Sequence, residues 1–309
     1  YDESWIYENA EEALKLGVKH GVLHHRAFVD VDMKGKLEGM KALLKLRDDY
    51  ENIVDLKVVA FPQDGLIKEP GAEELIEESL EMGADVVGGI PWIEHTDKEA
   101  KEHIDKMFDL ATEYDKDIAM LTDDAGDPTL RTTEMLAEKA LEENWEGRVT
   151  ACHARAMEKY PDPYFDRLTG LLNRANLSIV SDPQTGPLHA RIDELMDKGI
   201  NVALGQDDIS DAYYPYGVNS MIEVAFLVSH LTWKTTAAEM KQLYDMITEN
   251  AAKDLNVEGH GLKEGNKANL VILNTENEFE ALRNQDVPRY VISSGEIVAE
   301  NEFRTIFKI

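Results

Sequence analysis

Positive charge, cysteine and long apolar runs are all scarce in this sequence, and each shortage removes a class of protein. Lysine and arginine together number 32 against 61 aspartates and glutamates, so 309 residues carry a formal net charge of −29. Phosphate repels a chain that acidic, which excludes nucleic acid and anionic membrane surfaces as main partners. The single cysteine, Cys152, has no second thiol in the chain to pair with. A reducing, cytoplasmic location is therefore the expectation. No apolar run nears the roughly 18 residues of a membrane-spanning helix. The chain opens on Tyr1-Asp2-Glu3 rather than on the basic start of a signal peptide. A Gly-rich phosphate fingerprint is also missing after every strand-like run, so a nucleotide-binding sheet gains no support.

What is present is a globular composition, 43% hydrophobic, with acidic residues spread along helical stretches such as Glu73, Glu74, Glu77, Glu78 and Glu81. Spread charge of this kind reads as a solvated face. Short apolar runs alternate with amphipathic helical stretches. The runs lie at Gly21–Asp32, Val54–Gln63, Ala84–Ile93, Asp117–Asp124, Gly147–Ala154, Leu177–Pro183 and Ile200–Asp208. This pattern predicts an α/β protein with a parallel sheet. Seven strands fit an open doubly wound sheet, or a (β/α)8 barrel whose first strand lies before Tyr1. Two helical stretches then follow, Met221–Leu231 and Ala237–Leu255. Strand signals come last, at Ala268–Leu273 and Arg289–Val298, with Ser294-Gly295 as a turn signal. The expected division is a barrel over 1–260 and a small β portion over 261–309. The helix at Met221–Leu231 is apolar on most sides, which suits a buried helix or an oligomer surface.

Parallel barrels place their chemistry at the carboxyl ends of the strands. The residues there are Gln63 and Asp64, Asp123 and Asp124, His153, Asp182, and Asp207 and Asp208. Carboxylates gathered with one histidine suit acid–base work or a divalent metal. Each alone has a plainer role, since a strand-end aspartate often caps the next helix. His24-His25 falls within a strand rather than at its end, and its two rings point to opposite faces, so a structural role is expected.

Several segments resemble cytosine deaminase of the amidohydrolase superfamily. They are AFPQDG at 60–65, GADVVGGIPW at 83–92, RVTACHARAM at 148–157, INVALGQDDISDAYYPYG at 200–217 and EGNKANLVIL at 264–273. The resemblance implies a (β/α)8 TIM barrel with a small β-sandwich. It also implies that the first barrel strand, with its His-x-His pair, and the other sandwich strands lie outside this chain, a stretch of about 60 or 70 residues. The implied activity is deamination: hydrolysis of a C–N bond in a nitrogen heterocycle by water activated on one divalent metal, zinc or iron. The implied partner is that small molecule, and a homo-oligomer is a mild expectation.

Position by position, Asp207 matches the family's metal-ligand aspartate and Asp208 its substrate-contacting neighbour. His153 matches the histidine that orients the attacking water and is a possible stand-in metal ligand. Gln63 matches the glutamine that reads the ring, and Tyr213 falls where an aromatic covers the substrate. The family's His-Cys-Asp-Glu motif reads Leu121-Thr122-Asp123-Asp124 here. Leu121 stands at a metal-ligand position and cannot coordinate. Asp124 stands at the proton-shuttling glutamate, one methylene shorter. Gln206 replaces a histidine, and His189 falls near another. The expected site is catalytic His153, Asp207 and Asp124, with substrate-binding Gln63, Asp208 and Tyr213 and metal-binding Asp207 and His153. Leu121 keeps open a non-catalytic binding or regulatory protein on the same barrel, and also an acid–base chemistry that needs no full metal site.

Overall fold

The computed structural model describes residues 1–308. A helix, α1 (Glu3–Lys19), leads into seven strands: β1 (His24–Asp30), β2 (Asp55–Phe61), β3 (Val86–Gly89), β4 (Asp117–Thr122), β5 (Val149–His153), β6 (Ser178–Ser181) and β7 (Val202–Leu204). All six neighbouring pairs are parallel and the strands lie in sequence order, with β1 and β7 at the two edges. The crossovers are α2 (Glu38–Asp49), α3 (Ala72–Glu81), α4 (Asp97–Glu113), α5 (Thr132–Glu142), α6 (Asp162–Arg174) and α7 (Ile192–Asp197). This is a curled, barrel-like parallel sheet wrapped by helices.

The helices start where the sequence supplies side-chain caps. Asp2 accepts from the Trp5 N–H and Thr96 from the Glu99 N–H, each satisfying a backbone donor that the first turn leaves free. Their apolar stripes cover the outer face of the sheet, where Met107, Phe108, Leu136, Phe165 and Leu168 are fully buried. A smaller inner core joins Val59, Val86 and Ala119 to Phe28. Gly88 is required by close approach: a Cβ there would stand 2.5 Å from the Ala60 carbonyl oxygen.

The amino end of the sheet closes on a charged network. Arg26 donates to Asp254 at 2.8 Å and to the Thr150 hydroxyl at 3.1 Å, and that hydroxyl donates to Asp254 at 2.7 Å. His24 and His25 also lie at this amino end, far from strand tips. His24 pairs with Asp55 at 3.0 Å. The buried His25 ring packs on Gly17 of α1, and burial pushes its pKa down to about 4.

After β7 come α8 (Met221–Leu231), α9 (Ala237–Met246) and α10 (Glu249–Asp254). The single stretch expected over 237–255 is broken between α9 and α10, because Thr248 leaves helical geometry at φ −129° and ψ −91°. Ile222, Val224, Ala225 and Val228 make α8 a buried helix. A three-stranded antiparallel sheet closes the chain: β8 (Leu270–Ile272), β9 (Tyr290–Ser293) and β10 (Glu296–Glu300). The run expected at Arg289–Val298 is thus a hairpin, turned by Ser294 and Gly295 at φ +51° and +89°. A further helix, α11 (Glu278–Asn284), lies between β8 and β9. Asn301 fastens this sheet to α1 by donating to the Lys19 carbonyl at 3.1 Å.

Candidate active site at the strand ends

The carboxyl ends of β4, β5, β6 and β7 bring four titratable side chains together. His153 ends β5 and is 8% exposed; Asp182 follows β6 and is 5% exposed. The His153 Nδ1 stands 2.8 Å from Asp182 Oδ1 and 3.7 Å from Asp124 Oδ1. Neither contact has hydrogen-bond geometry, so Nδ1 and Asp124 Oδ1 are both buried without a hydrogen-bonding partner. Asp207, after β7, completes a set with His153 and Asp182 whose ligand atoms all lie within 4.8 Å of one another.

Four residues at these strand ends adopt left-handed backbone geometry without being glycine: Asp123 (φ +49°), His153 (+66°), Ala154 (+51°) and Asp207 (+58°). Each such residue costs on the order of 1 kcal/mol, and strain of this kind gathers at functional sites.

Arg155 is the cation of the mouth, and it lies one residue beyond the run expected at Gly147–Ala154. Its Nη2 donates to Asp182 Oδ2 at 2.6 Å, and its Nη1 lies 3.1 Å from Asp124. Thr185 also donates to Asp182 Oδ2. Burial would raise the Asp182 pKa, but His153, Arg155 and Thr185 together hold it down to about 2. Burial would also lower His153, and the Asp182 and Asp124 carboxylates outweigh it, so the ring is held above its ordinary value. Asp207 stands at the solvent-facing rim, yet the protein around its carboxylate and then the Asp182 charge push it up to about 7. Asp124 is raised chiefly by burial.

The other predicted residues divide. Asp208 is half-buried, and burial followed by Asp211 raises its pKa. Gln63 and Tyr213 are exposed, Tyr213 beside the Arg155 guanidinium. Asp123 turns away from the mouth: it accepts from the Thr132 and Thr133 N–H groups and the Tyr160 hydroxyl, which caps α5 and leaves it no catalytic freedom. Leu121 shares the inner face of β4 with Ala119, by the two-residue period of a strand, so an apolar side chain does project toward the mouth. His189 sits elsewhere, on a shallow cavity of about 360 Å³ with Tyr160 and Arg191 that shares no residue with the mouth. Asp30 was missed although β1 ends on it; burial, then Asp32, Asp208 and Asp64, raise it to about 6. The same strand-end rule, applied to the first run, finds it.

The loop that carries Gln63 is held from below. One buried carboxylate, Glu94, accepts from the N–H groups of Leu66, Ile67 and Lys68 at 2.8–3.0 Å. His103 donates to Glu94 at 2.8 Å and accepts from the Ile90 N–H at 3.2 Å.

The model of the amidohydrolase family matches residues 6–299. The chain belongs to that family. Within it the chain is cytosine deaminase-like. It is 32% identical to a 5-methylcytosine deaminase from Klebsiella pneumoniae, solved with 5-fluorocytosine, with a TM-score of 0.95 over 99% of this chain and 78% of that one. It is 31% identical over 299 residues to the N-isopropylammelide isopropyl amidohydrolase of Pseudomonas sp. (strain ADP), covering 96% of this chain and 74% of the relative. A pterin deaminase from Rhizobium rhizogenes is 23% identical over 312 residues, covering 95% of this chain and 69% of the relative. Members of this family are hydrolases, and this chain is a hydrolase of non-peptide C–N bonds. No helix among the described residues is long and apolar enough to cross a membrane.

A divalent metal is expected in this family, and the donor set fits one. A catalytic zinc site needs about three protein ligands. One imidazole and two carboxylates supply them, and the His153 Nδ1 is buried among those carboxylates without hydrogen-bond geometry to any of them.

Proposed function

We propose that the chain hydrolyses a C–N bond of a nitrogen heterocycle, a deamination in which water is activated by a divalent metal, zinc or iron, on a (β/α)8 barrel. The observation that carries this reading is the convergence of His153, Asp124, Asp182 and Asp207, with two acid–base atoms buried and unpartnered. Relatives that act on 5-methylcytosine and N-isopropylammelide support the substrate class.

His153 and Asp207 would hold the metal, whose contribution is to lower the pKa of bound water toward neutrality. His153 orients the attacking water. Asp124, its pKa raised chiefly by burial, carries a proton at its carboxylate from that water to the departing nitrogen; its short side chain must come within about 3 Å to do so. Gln63 offers an amide to the ring, Asp208 accepts from a ring N–H, and Tyr213 covers the ring face. Arg155 balances the charge of Asp124 and Asp182.

The test is ammonia release from cytosine, isocytosine, creatinine and triazine-type rings by the metal-supplemented protein. Turnover of at least one ring is expected, and its loss in both His153→Asn and Asp207→Ala. Full activity in either variant would remove that residue from the site. Tight ring binding with no ammonia would instead favour the binding-only reading that Leu121 raises.

A further inference from the structure

We propose that Asp182 is a metal ligand, presented through Oδ1 by a clamp of Arg155 and Thr185 on Oδ2, and that it takes the place vacated by Leu121. This inference rests on the metal-dependent reading above.

The two oxygens of Asp182 have different neighbours. Oδ2 accepts from Arg155 at 2.6 Å and from Thr185, while Arg155 also reaches the Thr185 hydroxyl at 2.6 Å. That triangle fixes the carboxylate plane. Oδ1 is left facing His153 Nδ1 at 2.8 Å without hydrogen-bond geometry. At 2.8 Å this nitrogen and oxygen, buried and misaligned for sharing a proton, stand closer than two ligands of one cation, and an ion between them would part the pair by about 0.6 Å. Tetrahedral bonds of about 2.1 Å put neighbouring ligand atoms about 3.4 Å apart. Asp207 lies near enough to be the third ligand, since all three atoms fall within 4.8 Å of one another.

Leu121 explains the shift. It offers no donor itself, and the three ligand atoms that converge within 4.8 Å come from the ends of β5, β6 and β7. Arg155 and Thr185 then act as positioning residues, because a ligating carboxylate needs its other oxygen held.

The experiment is equilibrium titration of the full chain with Mn2+, followed by the electron paramagnetic resonance of free Mn2+ and by calorimetry with Zn2+. Circular dichroism checks each variant's fold. One ion per wild-type chain is expected. Asp182→Asn is expected to weaken binding at least about 100-fold and Thr185→Val about 10-fold. Leu121→Ala is expected to stay within about twofold, because its side chain makes no bond to the ion. Stoichiometric, equally tight binding by Asp182→Asn would overturn the inference and leave the metal-dependent reading standing. Failure of the wild-type chain to bind either ion would overturn both. Should Asp182→Asn fail to fold, Thr185→Val decides, and wild-type affinity in that variant overturns the clamp.

Discussion

Strand β5 carries charge networks at both of its ends, and the two are finished differently. At the amino end, Arg26, Thr150 and Asp254 form a closed triangle in which each member faces the other two. At the carboxyl end, three residues later, His153 Nδ1, Asp124 Oδ1 and Arg155 Nε are buried with no hydrogen-bonding partner. A closed buried network holds the curled sheet together. One with open valences costs stability and is kept for chemistry, in line with the division of barrels into a stabilising and a reactive end.

The comparison can be broken from either side. The largest expected effect is at the closed end. Asp254→Ala strands the Arg26 guanidinium and is expected to cost about 3–5 kcal/mol in denaturant unfolding. The double change Arg26→Met with Asp254→Leu is expected to recover most of that loss. At the open end, Asp124→Asn is expected to slow turnover about 100-fold while leaving unfolding free energy within about 0.5 kcal/mol of wild type. A stability loss as large as that of Asp254→Ala would mean that the two ends are alike.

A smaller effect sharpens the contrast through pH. His25 is buried neutral, with its pKa lowered from 6.5 to about 4. As pH falls below 6.5 the unfolded chain takes the proton first, so this contribution to stability is complete above 6.5 and lost progressively toward pH 4. At pH 5 the loss is about 2 kcal/mol. The wild-type protein is expected to lose that much more stability between pH 7.5 and 5 than His25→Gln, measured by paired urea titrations.

Most of the fold was legible because strand and helix periods differ and the seven apolar runs keep that difference clean. Strand ends drew in by a few residues, as with Gly21–Asp32 narrowing to His24–Asp30, because alternation continues into loops that make no ladder. The break at Thr248 was hidden, since no glycine or proline marks it. At the site, reading strand tips found His153, Asp124, Asp182 and Asp207. It could not separate Asp123 from Asp124, because a carboxylate aimed at Thr132 and Thr133 looks the same in a string as one aimed inward. Arg155 escaped because its place depends on the left-handed turn at His153 and Ala154, which sequence does not announce.

The Glu94 anchor under residues 66–68 has a consequence for how ligands are chosen. Conformational entropy of the Gln63 loop is surrendered during folding, so a molecule that docks on that side meets a surface already set and loses little in binding it. On the opposite wall the Tyr213 and Tyr214 N–H groups are held by Asp211, an exposed carboxylate of the same turn, rather than by a buried carboxylate from another element. On the proposed reading, affinity for the common ring edge belongs to the Gln63 side and tolerance for varied substituents to the more exposed Tyr213 side.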